Sequence, residues 1–268
     1  MSSSAALQSS GHTVTGASLR DASRMAAACA GADAVVNLAG APVVGKRWTP
    51  AYKDEIWRSR VDRTRDLVTA LGSMERRPLV YVGASAIGYY GASDDDAFVE
   101  ESPPGSDFLA QTCVEWEAEA MRARELGLRV AVVRTALVLG NDGGALEKML
   151  PPFKLGLGGP IGNGLQWTSW IHIDDIIGIY QLALGSADGP LNAASPNPVR
   201  NRAFARALGH ALHRPAAFPV PGLALELIFG EGASVLTSGQ RVLPVRAEAL
   251  GYRFKYPTLD EALAELVC

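Results

Sequence analysis

Cysteine is scarce in this chain. Three residues, Cys29, Cys113 and Cys268, are scattered over 268 positions and form no Cys-x-x-Cys pair. A disulfide framework and a thiolate zinc site are therefore excluded as expectations, and the usage suits a reducing, cytoplasmic setting. Histidine is hardly commoner, at four. His210 and His213 stand three apart near the end of a predicted helix. No further ligand types surround them, so they read as side chains at a helix C-terminus, and no metal is expected. No apolar run approaches the roughly 20 residues that cross a bilayer. Residues 1–10 are small and polar, without the basic region and apolar segment of a secretory signal, and read as a frayed or rewritten terminus. An excess of one charge is missing too: 25 Lys and Arg stand against 28 Asp and Glu. The basic residues are dispersed, apart from short clusters such as Lys46-Arg47 and Arg58-Ser59-Arg60. Nucleic acid and anionic membrane are excluded as expected partners on that balance.

What is present is material for a core. Hydrophobic residues make up 48 % of the chain, enough for one large or two small domains. Apolar runs at 34–38, 79–83 and 130–134 read as buried parallel strands, with shorter ones at 13–15, 171–173 and 191–194. Between them lie helical patterns at 21–30, with Asp21 as cap, at 50–72, where Pro50 suits a first turn, and at 108–126, closed by Gly127. Strands alternating with helices of ten or more residues predict βαβ crossovers and a parallel sheet. Residues 140–166 are rich in glycine and proline and read as loop. Further helices are predicted from Asp174-Asp175 onward, near 201–212 and 222–229, and at 258–267.

One segment carries a chemical suggestion. The strand Ala34-Val35-Val36 runs into Asn37-Leu38-Ala39-Gly40, which looks like the fourth strand of a doubly wound nucleotide-binding sheet. In such folds the first strand and the glycine loop that holds a diphosphate come earlier. Residues 1–36 hold only Gly11, Gly16 and Gly31, none in a Gly-x-Gly-x-x-Gly spacing. The expectation is a Rossmann-like sheet lacking its first strand and glycine loop.

Longer motifs narrow this. They are residues 35–41 with Lys46-Arg47-Trp48, then Gly83-Ala84-Ser85-Ala86-Ile87-Gly88-Tyr89-Tyr90-Gly91, and Arg134-Thr135-Ala136-Leu137-Val138-Leu139-Gly140 with Gly143-Gly144. The most specific are Met149-Leu150-Pro151-Pro152-Phe153-Lys154-Leu155-Gly156-Leu157-Gly158-Gly159-Pro160-Ile161-Gly162 and Trp170-Ile171-His172-Ile173-Asp174-Asp175. Together they resemble the extended short-chain dehydrogenase/reductases, and among these the atypical YfcH-like branch of NAD(P)-binding epimerase-like proteins, here with the first βαβ unit truncated. The resemblance implies an incomplete NAD(P)-binding Rossmann-like domain over 1–148 and 168–194. It implies a smaller α+β substrate-side region over 149–167 and 195–268. It implies NADP, with NAD as the alternative, bound weakly in a chain without the diphosphate loop. The activity implied is that of an oxidoreductase or epimerase on a small molecule, a nucleotide-linked one among the options. A catalytically weak regulatory or scaffold protein is the competing reading.

The resemblance also assigns residues. Asn37, Leu38, Ala39, Gly40, Gly83 and Ala84 would approach the cofactor, and Ser85 would hydrogen-bond a substrate oxygen. The family's proton-donating Tyr-x-x-x-Lys is absent, because counting back from Glu117 places Leu109 and Cys113 at those positions. Tyr89 or Tyr90 is then either a substitute acid, whose pKa should stay high without a nearby cation, or an aromatic packed beneath the loop 91–107. Arg134 ends a buried strand and needs a carboxylate or a ligand anion. The glycine-rich 155–164, with Gln166 and Trp167, is expected to wall the substrate side. Asp174 and Asp175 read as helix caps, His172 as a satisfied structural group and Asp94-Asp95-Asp96 as a solvated loop.

Overall fold

The computed structural model describes residues 12–19, 22–141 and 144–267. Asp21, Gly143 and Cys268, named above, lie outside the described residues. Residues 13–15 form no strand. Thr13 and Thr15 are exposed and the run pairs with no strand, and an isolated extended run does not hold itself. The first helix, α1, is Ala22–Cys29.

The centre is a four-stranded parallel sheet in the order β1 (Ala34–Asn37), β2 (Val80–Ala86), β4 (Arg129–Thr135), β8 (Gly189–Ala193). Ala86 pairs with Thr135 and Thr135 with Ala193, so β2, β4 and β8 end at one level, while β1 stops earlier at Asn37, beside Gly83. This is the α/β, Rossmann-like arrangement that the alternation predicts. Among the described residues β1 has one hydrogen-bonded neighbour, β2, and its Val35 and Val36 are only half-buried.

Two layers of helices cover the sheet. On one face Met25 of α1, Leu67 and Leu71 of α3 (Val61–Gly72) and Ala120 of α4 (Phe108–Met121) pack on Tyr81, Val130 and Val132. On the other, Ile176, Ile179 and Ala183 of α6 (Ile173–Gly185) pack on Val82, Ala131, Val133 and Leu191. Each fully buried aliphatic side chain contributes about 1.5–3 kcal/mol, so either layer outweighs local propensity.

The helical pattern over 50–72 is two helices rather than one. The first, α2 (Pro50–Arg58), is capped by Thr49, whose side chain accepts from the Tyr52 amide. The chain then breaks at Ser59 and Arg60 before α3. Both residues spend their side chains on the loop after β1: the Ala41 amide donates to Ser59 Oγ at 2.9 Å, and Arg60 donates to the Ala41 carbonyl at 2.9 Å. Beyond α4 a 3₁₀ turn runs from Arg122 to Leu126 and ends at Gly127, whose φ of 87° is left-handed, as a helix-closing glycine requires.

The stretch 140–166 is not all loop. Gly144–Lys154 form α5, with Pro151 and Pro152 inside it. Those prolines each remove an amide donor, and the helix survives because Leu146 and Phe153 are buried against Trp170, Phe204, Leu208 and Leu263. That cluster joins α5 to α7 (Asn201–Ala211) and α11 (Leu259–Val267). Smaller elements complete the chain: β3 (Ala97–Phe98), β5 (Leu137–Leu139), β6 (Trp167–Thr168), β7 (Trp170–His172), β9 (Val199–Arg200), β10 (Arg241–Val242), α8 (Gly222–Phe229), α9 (Ser234–Thr237) and α10 (Val245–Ala249). No helix among the described residues is long and apolar enough to cross a membrane.

Candidate functional site

A cavity of about 380 Å³ opens at the C-terminal ends of the central strands. Val36 and Leu38 come from β1 and its exit, Ala84 and Ser85 from β2, Thr135 and Val138 from the end of β4 and from β5. Ile173, Ile176, Ile177 and Tyr180 of α6 close the far wall. Strand alternation explains the membership: Val36, Leu38 and Ala84 point to the α6 face, while Asn37, Gly83 and Arg134 point to the α3–α4 face. Leu38 is half exposed although it is a large apolar residue, the sign of a surface awaiting contact rather than a packed core. The hydroxyl of Tyr180 lies against Thr135, and burial pushes its pKa up.

Of the residues expected at a cofactor, then, Leu38 and Ala84 line the cavity, and so does Ser85. Asn37 does not reach it. Its Nδ2 donates to Thr64 Oγ1 at 2.9 Å and to the Tyr81 hydroxyl at 3.0 Å, and its Oδ1 accepts from the Ala39 amide at 3.1 Å. It therefore shapes the Leu38-Ala39-Gly40 turn from behind. Gly83 is packed between Tyr81, Ala120 and Val132, inside the layer, and does not line the cavity.

Arg134 is turned the same way. Its Nε and Nη2 grip the two oxygens of Glu117 at 2.8 Å each, and Nη1 donates to the Tyr90 hydroxyl and the Glu100 carbonyl, both at 2.9 Å. All three guanidinium nitrogens are hydrogen-bonded within the protein, so of the two roles the sequence allows, it is the ion pair that is formed. Ser85 belongs to this network: its hydroxyl donates to Glu117 Oε1 at 2.6 Å. Tyr90 in turn donates to Asn192 Oδ1 at 2.7 Å.

The expectation that Tyr89 and Tyr90 lack a nearby cation is corrected by Arg134, which stacks over the Tyr89 ring at 3.5 Å. Burial nonetheless outweighs Arg134 at Tyr90 and pushes its pKa up to about 12. Neither phenol lines the cavity. Leu109 and Cys113 occupy the positions where the resemblance expects a tyrosine and a lysine. Cys113 is buried, and desolvation, with Glu117 nearby, pushes its thiol up to about 12.

The acidic pair after β7 does not cap α6. The cap is His172, whose Nδ1 accepts from the Asp174 amide at 3.1 Å while Nε2 faces Glu265 at 3.0 Å. Asp175 is fully buried and takes the Tyr252 hydroxyl and the amides of Lys255 and Tyr256. The glycine-rich stretch pairs with the segment before α8 through an Ile161–Val220 bridge, and Gln166 is spent on the carbonyls of Ile161 and Leu236. Among the described residues no cluster of His, Cys, Asp and Glu could hold a metal.

Sequence reasoning missed Thr135, Val138 and the α6 wall. Period-two alternation was legible, but which sheet face would carry a cavity depends on where α6 packs.

Comparison with known proteins agrees with this arrangement. A profile of the NAD dependent epimerase/dehydratase family matches residues 2–194, and a domain of unknown function, DUF1731, matches 220–266. The chain is 47 % identical over 241 residues to the epimerase family protein SDR39U1 homolog, chloroplastic, of Arabidopsis thaliana, spanning 88 % of this chain and 69 % of that one. It is 40 % identical to an epimerase family protein of Staphylococcus aureus, over 88 % of this chain and 79 % of that one. The crystal structure of human epimerase family protein SDR39U1 (isoform 2) with NADPH superposes with a TM-score of 0.93 at 36 % identity, covering 99 % of this chain and 94 % of that chain.

Proposed function

The chain belongs to the NAD dependent epimerase/dehydratase family, and from that premise we propose that it binds NADP(H), with NAD(H) as the weaker alternative, in the cavity at the ends of β1, β2 and β4. The observation that carries this is the position of the cavity: in open α/β sheets ligands lie outside the carboxyl ends of the strands, where Leu38, Ala84 and Ser85 stand. The NADPH in the human relative supports the choice of cofactor. The finer placement is the atypical YfcH-like branch, and residues 149–167 and 195–268 would supply the substrate side. The substrate is a small molecule, a nucleotide-linked one among the candidates, and the chemistry is an oxidoreduction or epimerisation in which a hydride passes to or from the nicotinamide.

What this chain's residues do there is bind and orient. Leu38 and the isoleucines of α6 offer an apolar wall to a flat ring and exclude water from it. Asn37 fixes the Ala39-Gly40 backbone so that a ligand approaches it closely. Ser85, already hydrogen-bonded to Glu117, serves a substrate oxygen only after its hydroxyl turns. With Leu109 and Cys113 in place of a proton-donating pair, a second reading is favoured by a specific observation: a cofactor-binding regulatory protein that turns over little.

Residues 1–36 hold no Gly-x-Gly-x-x-Gly spacing of the kind that holds a diphosphate, and affinity is therefore proposed to be weak. Titration of NADPH against the fluorescence of the five tryptophans tests both claims. Binding that saturates only toward millimolar cofactor is expected. Saturation at micromolar cofactor sinks the weak-affinity clause alone, and no binding at any concentration sinks the cofactor assignment. A panel of carbonyl substrates with NADPH then separates enzyme from regulatory protein.

A further inference from the structure

Resting on that reading of the site, we propose that Arg60 is its anion-binding residue: the guanidinium holds a phosphate or carboxylate group of the ligand beside Gly40, at the exit of β1. Arg60 sits in the break between α2 and α3. It donates from Nη1 to the Ile56 carbonyl at 3.1 Å and from Nη2 to the Ala41 carbonyl at 2.9 Å, with Ser59 Oγ farther off at 3.4 Å. Its charge lies 5.2 Å from the centroid of the Trp116 ring. Among the described residues no carboxylate pairs with it. Arg134, the buried guanidinium of the neighbouring strand, has Glu117 instead.

Arg60 is half-buried, and the groups that act on its charge are a thiol and a phenol, Cys113 and Tyr52, while burial lowers its pKa. A cation withdrawn from water and given only neutral acceptors bears a desolvation cost that an anion of the ligand would offset. The direction it faces is also on view. Gly40 is exposed, and a Cβ there would stand 3.0 Å from Cζ and Nη2 and 3.3 Å from Nε. The Nε–H makes no hydrogen bond within the described residues, and the residue beside it, Gly40, carries no side chain to block an approach. Leu38, two residues before Gly40, lines the cavity, and Cys113 touches Ser85 in its wall.

Phosphate could come from the cofactor or an acidic group from the substrate, and the two are separable. Inorganic phosphate, malonate and NADPH are titrated separately against wild type, Arg60→Gln and Arg60→Lys, with tryptophan fluorescence and thermal unfolding as readouts. Arg60→Gln should weaken binding of at least one probe by about tenfold, the worth of a charge-assisted hydrogen bond, and Arg60→Lys should keep part of it. Loss of NADPH affinity along with that of phosphate or malonate assigns the group to the cofactor; NADPH affinity that holds while malonate or phosphate binding is lost assigns it to the substrate. Arg60-dependent anion binding with no NADPH binding leaves the proposal standing and removes the dinucleotide reading.

The proposal is overturned if wild type binds none of the three, or if Arg60→Gln changes none by more than about twofold, within the scatter of uninvolved surface substitutions. A second measurement needs no variant: phosphate or malonate should slow modification of Arg60 by phenylglyoxal, read by mass spectrometry, and absence of protection by any of the probes overturns the proposal as well.

Discussion

Arg134 stays charged in the core because Glu117 meets it through two parallel hydrogen bonds and because Tyr90 and the Glu100 carbonyl take what remains. Removing either partner leaves an uncompensated buried charge. Arg134→Met should therefore cost about 3–5 kcal/mol in denaturant unfolding, with Glu117→Leu similar and the double variant well short of their sum. Glu100 makes a different case. Its Oε1 takes the amides of Asn192 and Arg246, while Oε2 is buried without a partner, and desolvation raises its pKa. A carboxyl whose pKa is raised in the folded state contributes stability below its unfolded pKa, near 4.3, and loses it as pH climbs through the raised value. Glu100→Gln, which cannot ionise, should accordingly raise the melting temperature at neutral pH relative to wild type and have a smaller effect in mild acid. The opposite ordering would refute the account. At this scale the sequence showed that Arg134 needed a partner. It could not show Glu117, 17 positions away, because the pairing depends on the phase of α4 against β4.

At the scale of elements, Asp175 fastens α6 to the segment that leads into α11. Asp175→Ala strands the amides of Lys255 and Tyr256, leaving the Tyr252 hydroxyl only the Asp175 carbonyl, and loss of about 2–4 kcal/mol is expected together with faster hydrogen exchange over residues 252–256. Gly127→Ala, at a φ of 87°, should cost about 1 kcal/mol in the same unfolding assay. The strand and helix pattern was readable because buried parallel strands form continuous apolar runs and helices are bounded by marked residues such as Pro50 and Gly127. Three elements were not readable. The run at 13–15 is exposed and pairs with no strand, the break at 59–60 is made by side chains reaching a loop about twenty residues earlier, and α5 tolerates two prolines because its apolar face is buried by helices far along the chain.

Across the whole molecule the cavity is what the layers leave between α6 and the open side of the sheet. If it is the cofactor site, filling it should abolish binding without unfolding the protein. Ala84→Leu is expected to remove the NADPH-dependent fluorescence change while the melting temperature moves by a few degrees at most; retained binding would place the cofactor elsewhere. The alternation of strands and helices, the parallel sheet and the family likeness were determined by the sequence itself, since hydrophobic period and local motifs are properties of neighbouring residues. Which of Asn37, Leu38, Gly83, Ala84 and Ser85 faces a ligand was decided only by the tertiary structure. A strand offers both faces equally until packing covers one of them, and here α3 and α4 cover the face of Asn37 and Arg134, whereas α6 stands off from Leu38 and Ala84 and leaves room for a guest.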